Sequence, residues 1–238
     1  MMTPSPFAIA APPPTALPVA GTDQRFPVRR VYCVGRNYAA HAREMGFDPD
    51  RDPPFYFCKP ADAVTAARHD RPLSLVYPAL TANFHHEVEL VAAIGEAGAD
   101  IPVADALQHV FGYAVGLDMT RRDLQFKMRD QGRPWEIAKA FDASAPIGPL
   151  YPTRRVGHFT EARIWLTVNG RPRQDGNVRD LLWTVAETIA DLSTYFRLAP
   201  GDLIYTGTPE GVGPVVAGDR IDAGIDRLGA IVVTVEPG

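Results

Sequence analysis

The stretch His85-His86-Glu87-Val88-Glu89-Leu90-Val91-Ala92-Ala93-Ile94 places two glutamates in an otherwise apolar run. Its β-branched and aliphatic residues predict a strand over residues 86–94. Side chains two apart in a strand share a face, with Cα atoms about 6.5–7 Å apart, so the carboxylates of Glu87 and Glu89 can converge while Val88 and Leu90 point into the core. The alternative interpretation is a solvated strand face that carries two independent acids.

Strand signals recur along the whole chain. Residues 30–35, 54–59, 111–118, 163–168, 202–206 and 230–236 are rich in β-branched or aromatic residues. Asn169-Gly170 predicts a hairpin turn that returns through residues 171–174. Helix signals are fewer: residues 184–187 and 120–123 both fit a capping box, and Asn37 can cap a short helix over residues 38–45. The pattern predicts a strand-dominated α+β fold with a few short helices.

Composition indicates which partners are disfavoured and how the chain is divided into domains. Lys and Arg total 24 against 28 Asp and Glu in 238 residues, so no basic excess favours nucleic acid as a partner. No continuous apolar run reaches about 18 residues, and the N-terminus lacks the basic start of a signal peptide, so we expect no membrane span and a cytoplasmic location. Seven of the 23 prolines fall in residues 1–27, which predicts an extended or disordered arm before a catalytic domain over residues 28–238.

A third carboxylate is expected near the glutamate pair. The strand over residues 111–118 ends at Asp118, directly before a helix signal, where ligands often gather. Glu87, Glu89 and Asp118 would form an all-oxygen set that suits Mg²⁺, Mn²⁺ or Ca²⁺ better than zinc. His85 and His86 flank the pair, but a hard cation does not require nitrogen ligands.

Two further groups have residue types suited to catalysis. His41 and Glu44 are three apart on the expected helix after Asn37, so the carboxylate can orient the imidazole and raise its basicity, as a general base requires. Arg122 and Gln125 have the same spacing, and with Lys139 they could donate hydrogen bonds to developing negative charge. Each of these residues, taken alone, also fits a solvated surface position.

Several enzyme classes lack their motifs in this sequence. There is no G-x-S-x-G, HExxH, paired CxxC, GxGxxG or GxxxxGK[ST]. The sequence therefore disfavours a serine hydrolase, a standard zinc hydrolase and a nucleotide-binding loop. Residues 206–214 instead form a Gly/Pro-rich loop after a strand, where backbone can approach a ligand closely.

The motifs together resemble the fumarylacetoacetate hydrolase family. The shared blocks occur in family order over about residues 28–235, and they are GRNYAAHAREM (35–45), KP (59–60), HEVEL (86–90), GLDMTRRDLQ (116–125), AKAFD (138–142) and TGTP (206–209). The resemblance implies a mixed β-sandwich roll of the type found in the C-terminal domain of that family, usually a homodimer with one Mg²⁺ or Mn²⁺ per subunit.

The resemblance also implies roles for individual residues. Glu87, Glu89 and Asp118 match the metal ligands, and His41 with Glu44 matches a water-activating pair on a helix that can close as a lid. Four further residues match contacts to substrate oxygens, namely Arg122, Gln125, Lys139 and Thr208.

The implied reaction is hydrolysis of a carbon–carbon bond in a 2,4-dioxo acid, an acylpyruvate. Residues 133–139 are most similar to the branch of the family that acts on fumarylpyruvate and releases fumarate and pyruvate. A substrate with two carboxylates needs a cation at its far end, for which Arg36 and Lys59 are candidates. The alternatives are decarboxylation or tautomerisation of oxaloacetate, isomerisation of a 2-hydroxy-dienedioate, or a metal-binding protein without catalysis.

Overall fold

A computed structural model describes residues 8–40, 52–68 and 71–238 of the chain. Its strands are β1 (Ala16–Pro18), β2 (Arg25–Pro27), β3 (Val31–Gly35), β4 (Phe55–Lys59), β5 (Val64–Ala66), β6 (Leu73–Val76), β7 (Phe84–His86), β8 (Val88–Ile94), β9 (Val110–Leu117), β10 (Thr120–Arg121), β11 (Ala145–Ile147), β12 (Tyr151–Pro152), β13 (Arg163–Val168), β14 (Arg171–Asn177), β15 (Leu203–Tyr205), β16 (Gly213–Val215), β17 (Arg220–Ile225) and β18 (Gly229–Glu236). The α-helices that lie wholly within these residues are α1 (Arg122–Asp130), α2 (Glu136–Lys139), α3 (Thr153–Val156) and α4 (Val185–Tyr195). Short 3-10 turns cover Ala61–Ala63, Ala106–His109 and Val178–Asp180.

Two large sheets contain most of the strands. One sheet has the order β4-β3-β15-β8-β9-β11-β5, with β12 added beside β9, and the other has the order β14-β13-β17-β18-β6. Parallel pairs (β15–β3, β11–β5 and β18–β6) are mixed with antiparallel ones. The prediction of a strand-dominated α+β fold with short helices is therefore confirmed.

The main apolar core lies between these two sheets. Leu90 of β8 and Ile164 of β13 are fully buried in one cluster with residues of β9, β17 and β18. A third sheet, in the order β10-β7-β16, adjoins the start of β8, because β7 leads directly into that strand. Strand β8 lies between β15 and β9, and all of its residues are buried, so a polar side chain on it needs a partner.

The N-terminal segment differs from the expected arm. Strands β1 and β2 pair antiparallel, and Leu17 and Phe26 pack into a second apolar cluster on the opposite face of the larger sheet. The expectation of an extended or disordered segment up to Thr22 is wrong for this hairpin, because its apolar side chains find a surface to cover. The prolines at the ends of these strands occupy edge positions, where a missing N–H costs little.

Local turn and cap predictions had mixed outcomes. The hairpin turn is confirmed, with Asn169 and Gly170 at φ 52° and 72° between β13 and β14. The capping box of α4 is also confirmed, since Thr184 and Glu187 exchange hydrogen bonds. The second box is wrong: Thr120 lies in β10, and its hydroxyl donates to the carbonyl of Asp118.

Residues 39 and 40 are helical, as the sequence predicts, but the Asn37 side chain bonds to segments far along the chain. Its side-chain amide donates to the carbonyls of Trp183 and Thr206, and its oxygen accepts from the Trp183 N–H. These bonds tie the end of β3 to the loop after β15 and to the segment before α4. Over residues 8–40, 52–68 and 71–238, no helix is long and apolar enough to cross a membrane.

Candidate active site

The register of two neighbouring strands brings the three predicted carboxylates together. The expected continuous strand over residues 86–94 is divided at Glu87, where β7 ends and β8 begins. Glu89 pairs with Gly116 on β9, and the N–H of Asp118 donates to the carbonyl of Glu87 at 2.9 Å. Asp118 therefore lies beside Glu87, at the end of β9.

The carboxylates of Glu87, Glu89 and Asp118 form a buried cluster, called here the acidic triad. One oxygen from each residue lies within 4.8 Å of the others, and all three side chains are buried. Asp118 Oδ1 is buried and has no hydrogen-bond donor among the described residues. Three converging carboxylates with only oxygen donors fit a hard divalent cation. The ring nitrogens of His85 and His86 are not part of this set.

Three buried cations surround the triad. Lys139 Nζ bridges Glu87 Oε2 at 2.8 Å and Asp118 Oδ2 at 2.7 Å. Arg122 donates to the other oxygen of Glu87. Lys59 Nζ lies 2.8 Å from Asp118 Oδ1 as an ion pair, outside hydrogen-bonding geometry. The positive charges offset the cost of burying the carboxylates, since an unpaired buried charge is strongly destabilising.

Burial and the close charges shift the pKa values of the central groups. Burial raises the pKa of Glu89 well above its usual range, and the neighbouring carboxylates of Asp118 and Glu87 raise it further. Burial by itself would lower the pKa of Lys139, but the same two carboxylates outweigh it and raise the pKa above the usual value. Lys139 is therefore a permanent cation, whereas Glu89 binds a proton readily.

A glycine loop approaches the triad from β15. Gly207 has φ +100°, in the left-handed region, and its N–H donates to Glu89 Oε2 at 2.7 Å. A Cβ at this position would lie 2.8 Å from Cβ of Asn37, so only glycine allows so close an approach. The predicted close approach of this loop is thus directed to a triad carboxylate.

Gln174 of β14 connects this loop to the triad strand. Its Nε2 donates to Thr208 Oγ1 and to the carbonyl of Pro209, both at 2.8 Å. Its Oε1 accepts from the N–H of Val88 and from His86 Nδ1, both at 3.1 Å. The amide is buried and uses both its oxygen and its nitrogen, so it fixes the loop relative to the start of β8.

The two histidines beside Glu87 are held as neutral side chains. His85 Nε2 donates to the Asn83 side chain at 2.8 Å, and its Nδ1 accepts from Arg122 Nε at 3.4 Å. Burial lowers the pKa of both His85 and His86 to about 4. His86 Nδ1 carries the hydrogen, because Gln174 Oε1 can only accept.

The triad lies in a cleft that is also lined by aromatic and arginine side chains. Three aromatic rings form one wall: Trp135 lies 5.4 Å from Phe55 and 5.8 Å from Phe57, measured between centroids. Arg36 and Arg129 also line the cleft. A cleft with an acidic end, an aromatic wall and arginines is suited to a flat anionic ligand held through a cation.

Most of the predicted site residues line this cleft. They are Arg36, Glu87, Glu89, Asp118, Arg122, Gln125, Lys139 and Thr208. Arg122 uses some of its N–H groups on Glu87 and Gln125, so in this structure it holds other site residues in place. The hydroxyl of Thr208 already donates to the carbonyl of Val88. His41 and Glu44 lie outside the described residues.

Lys59 requires a correction. It was expected to contact the far end of a substrate, but it is buried and does not line the cleft. Its ammonium donates to the carbonyls of Met119, Lys139 and Ser144. In β4 the side chain of Cys58 is exposed and that of Lys59 is buried beside Asp118.

Sequence reasoning missed several residues that the structure places at or beside the site, among them Arg129, Trp135 and Gln174. Arg129 had a usable signal, because it lies seven residues after Arg122, two turns along one helix face. Gln174 had none, since β14 reads as a polar strand.

The chain matches a known family and several known proteins. The profile of the fumarylacetoacetate (FAA) hydrolase C-terminal family matches residues 30–236. A fumarylpyruvate hydrolase of Ralstonia sp is 46% identical over 183 residues, covering 77% of this chain and 93% of that protein. The mitochondrial oxaloacetate tautomerase FAHD1 of Homo sapiens is 40% identical over 208 residues, covering 87% and 92%.

A solved structure supports the same relationship. The fumarylpyruvate hydrolase of Pseudomonas aeruginosa, in complex with Mn²⁺ and pyruvate, superposes with a TM-score of 0.96 at 60% identity. The match covers 98% of this chain and 100% of that one. Family profile, sequence identity and fold agree, and the chain therefore belongs to the fumarylacetoacetate hydrolase C-terminal family.

Proposed function

We propose that this protein hydrolyses the carbon–carbon bond between C3 and C4 of an acylpyruvate, with fumarylpyruvate as substrate and fumarate and pyruvate as products. The acidic triad at the end of the cleft is the observation that carries the proposal. Relatives with this activity at 46% and 60% identity, the second one holding pyruvate, support the choice of substrate.

Glu87, Glu89 and Asp118 would hold one divalent cation, Mn²⁺ or Mg²⁺. Mn²⁺ in the related structure and the all-oxygen donor set support this assignment. When bound, the ion supplies Lewis-acid stabilisation of the negative charge that develops on the 2-oxo oxygen during bond cleavage. This contribution is essential, because a carbon leaving group is otherwise poor.

Residues of the chain would stabilise the other charge of the reaction. Lys139, once its two carboxylates are shared with an ion, has N–H donors to offer to the oxyanion at C4. Gln125 can donate through Nε2, because its Oε1 accepts from Arg122. Each such donor typically contributes roughly 10²–10³ in rate.

We further propose that His41 and Glu44 activate the water, as the family resemblance implies. The imidazole would take a proton from the water as its oxygen bonds to C4. When the C3–C4 bond breaks, its electron pair passes to pyruvate as the enolate, and a proton is returned to C3. General base catalysis of this kind typically supplies roughly 10²–10⁴ in rate.

Product analysis tests the function directly. Purified protein with Mn²⁺ or Mg²⁺ should remove the ultraviolet absorbance of fumarylpyruvate and release fumarate and pyruvate in equal amounts. Treatment with EDTA should abolish the activity, and either metal should restore it. Release of carbon dioxide, or loss of absorbance without fumarate, would contradict hydrolysis.

Tautomerisation of oxaloacetate is the second candidate, favoured by the 40% identity to an oxaloacetate tautomerase. Both reactions use a 2-oxo acid held at a metal, and they differ in whether water attacks C4. The experiment that decides between them measures kcat/KM for the enol-to-keto conversion of oxaloacetate and kcat/KM for the hydrolysis of fumarylpyruvate. A higher kcat/KM for oxaloacetate would replace the first candidate.

We also propose a homodimer in the cytoplasm, without nucleic acid or membrane as a partner. The family resemblance supports the dimer, and the modest negative charge supports the absence of nucleic acid. Light scattering after size-exclusion chromatography should give twice the mass of the chain, and a monomer would contradict the proposal.

A further inference from the structure

The aromatic wall of the cleft has a cationic side chain at each of its two ends. Lys139 lies at the triad end, with Nζ 5.2 Å from the centroid of Phe57. The aromatic wall leads from Phe57 through Trp135 to Phe55. Arg36 lies beyond it, with Cζ 5.2 Å from the Phe55 centroid. A cationic group therefore lies at both ends of a flat apolar surface.

Helix α1 places a second arginine at the same far end. Arg122 and Gln125 lie near the triad, and Arg129 follows Arg122 by seven residues on the same face, about 10 Å along the axis. Arg129 lines the cleft, and its Cζ lies 4.7 Å from the centroid of Phe126. Burial lowers the pKa of Arg36, and the charge of Arg129 adds to this effect, so the two guanidinium groups are close enough to interact.

The ion pair that Arg129 makes is weak enough to exchange. Its partner is the next residue, Asp130, whose side chain is 63% exposed. Exposed pairs of this kind contribute little, because water competes for both charges. A carboxylate that enters the cleft can therefore share the Arg129 guanidinium, whose planar donors suit bidentate binding.

We propose that Arg129 and Arg36 form a carboxylate-binding subsite that selects acylpyruvates whose acyl group ends in a carboxylate. The inference rests on the proposed function and extends it to substrate choice. The rigid double bond of a fumaryl group holds its carboxylate away from the reacting carbon and along the aromatic wall. An acetyl group has no carboxylate that either arginine could bind.

The experiment compares fumarylpyruvate with acetylpyruvate, which lacks the far carboxylate. Arg129→Met keeps a long side chain over Phe126 and should raise KM for fumarylpyruvate roughly 10- to 100-fold, with less than a twofold change for acetylpyruvate. Arg36→Met should act in the same direction. Arg133→Met is the matched control, since Arg133 is exposed and does not line the cleft, and both KM values should stay unchanged.

A variant with increased affinity keeps the proposal testable if Arg36→Met fails to fold. Asp130→Asn removes the competing carboxylate from Arg129 and should lower KM for fumarylpyruvate without affecting acetylpyruvate. Equal effects of Arg129→Met on both substrates, or no effect on either, would overturn the subsite. A wild-type protein that cleaves neither substrate would instead overturn the proposed function, so the two failures are distinguishable.

Discussion

Gln174 and Thr208 join the two large sheets at the site through a 2.8 Å hydrogen bond from Nε2 to Oγ1. Gln174 belongs to β14 of the five-stranded sheet, and Thr208 lies in the loop after β15 of the other sheet. The same amide also accepts from Val88, at the start of the triad strand. One buried side chain thus contributes to the position of the glycine loop beside Glu89, together with the bond from Thr208 to the carbonyl of Val88.

Replacement of Gln174 by Ala should weaken both the fold and metal binding. The change leaves the Val88 N–H and the Pro209 carbonyl without partners, which costs about 2–4 kcal/mol of unfolding free energy. It also removes two hydrogen bonds to the loop that contacts Glu89, so metal affinity should fall. Urea denaturation and titration calorimetry measure the two effects, with Gln108→Ala on the surface as control. Normal metal affinity in a destabilised variant would contradict the positioning role.

Lys59→Met tests the corrected position of Lys59. The buried ammonium pairs with Asp118 and donates to backbone carbonyls, so its removal should cost about 3–5 kcal/mol of unfolding free energy. Lys127→Met, at an exposed position of α1, is the control and should have little effect. A normal unfolding free energy together with a raised KM for fumarylpyruvate would restore Lys59 as a substrate contact.

The triad could be predicted from the sequence because each of its three residues stands in a short-range pattern. Alternation placed Glu87 and Glu89 on one face, and the end of a strand placed Asp118 next in line. The structure then supplies the register that brings them together, through pairing of β8 with β9. Strand alternation, together with the pairing of β8 with one antiparallel neighbour, was sufficient to predict this part of the site.

The residues that sequence reasoning misplaced depend on contacts between distant segments. Lys59 turns inward because its ammonium meets the carbonyl of Ser144, 85 residues further along the chain. Gln174 is buried in a strand of otherwise polar composition, because the loop after β15 packs on it. The N-terminal hairpin forms because the larger sheet offers an apolar face to Leu17. Patterns in one segment do not contain such pairings.

Metal affinity should rise with pH because of Glu89. Burial and the neighbouring Asp118 and Glu87 raise its pKa, so a proton must leave before the carboxylate can bind a cation. Affinity should increase roughly tenfold per pH unit below that pKa, with release of a proton. Calorimetry in buffers of different ionisation enthalpy measures the number of protons released when the metal binds. Glu89→Gln should abolish binding, whereas Glu96→Gln on the surface should not.

The same raised pKa determines how the metal-free protein responds to pH. The folded state holds a proton on Glu89 more tightly than the unfolded state does. The contribution of Glu89 to stability is therefore present at low pH and is lost as pH rises through the folded pKa. Saturating metal should remove this loss. A pH-independent affinity would show that Glu89 is already ionised in the metal-free fold.

His86 should make the protein sensitive to acid. Burial lowers its pKa from the ordinary 6.5 to about 4 and outweighs the opposing effects of Gln174 and Glu87, with smaller contributions in the same direction from Arg173 and Arg122. The unfolded state then binds a proton first as pH falls, so the stabilisation is complete above about pH 6.5 and is lost as pH falls toward 4.

The loss assigned to His86 is on the order of 3 kcal/mol when the whole pH interval is crossed. Urea denaturation at pH 7 and at pH 4.5 measures it, and His86→Gln should reduce the difference between the two pH values. His109→Gln, at a partly buried position outside the cleft, is the control and should leave the difference unchanged. If His86→Gln preserved the full acid sensitivity, the titration would have to be assigned to other groups, His85 first, since burial lowers its pKa equally.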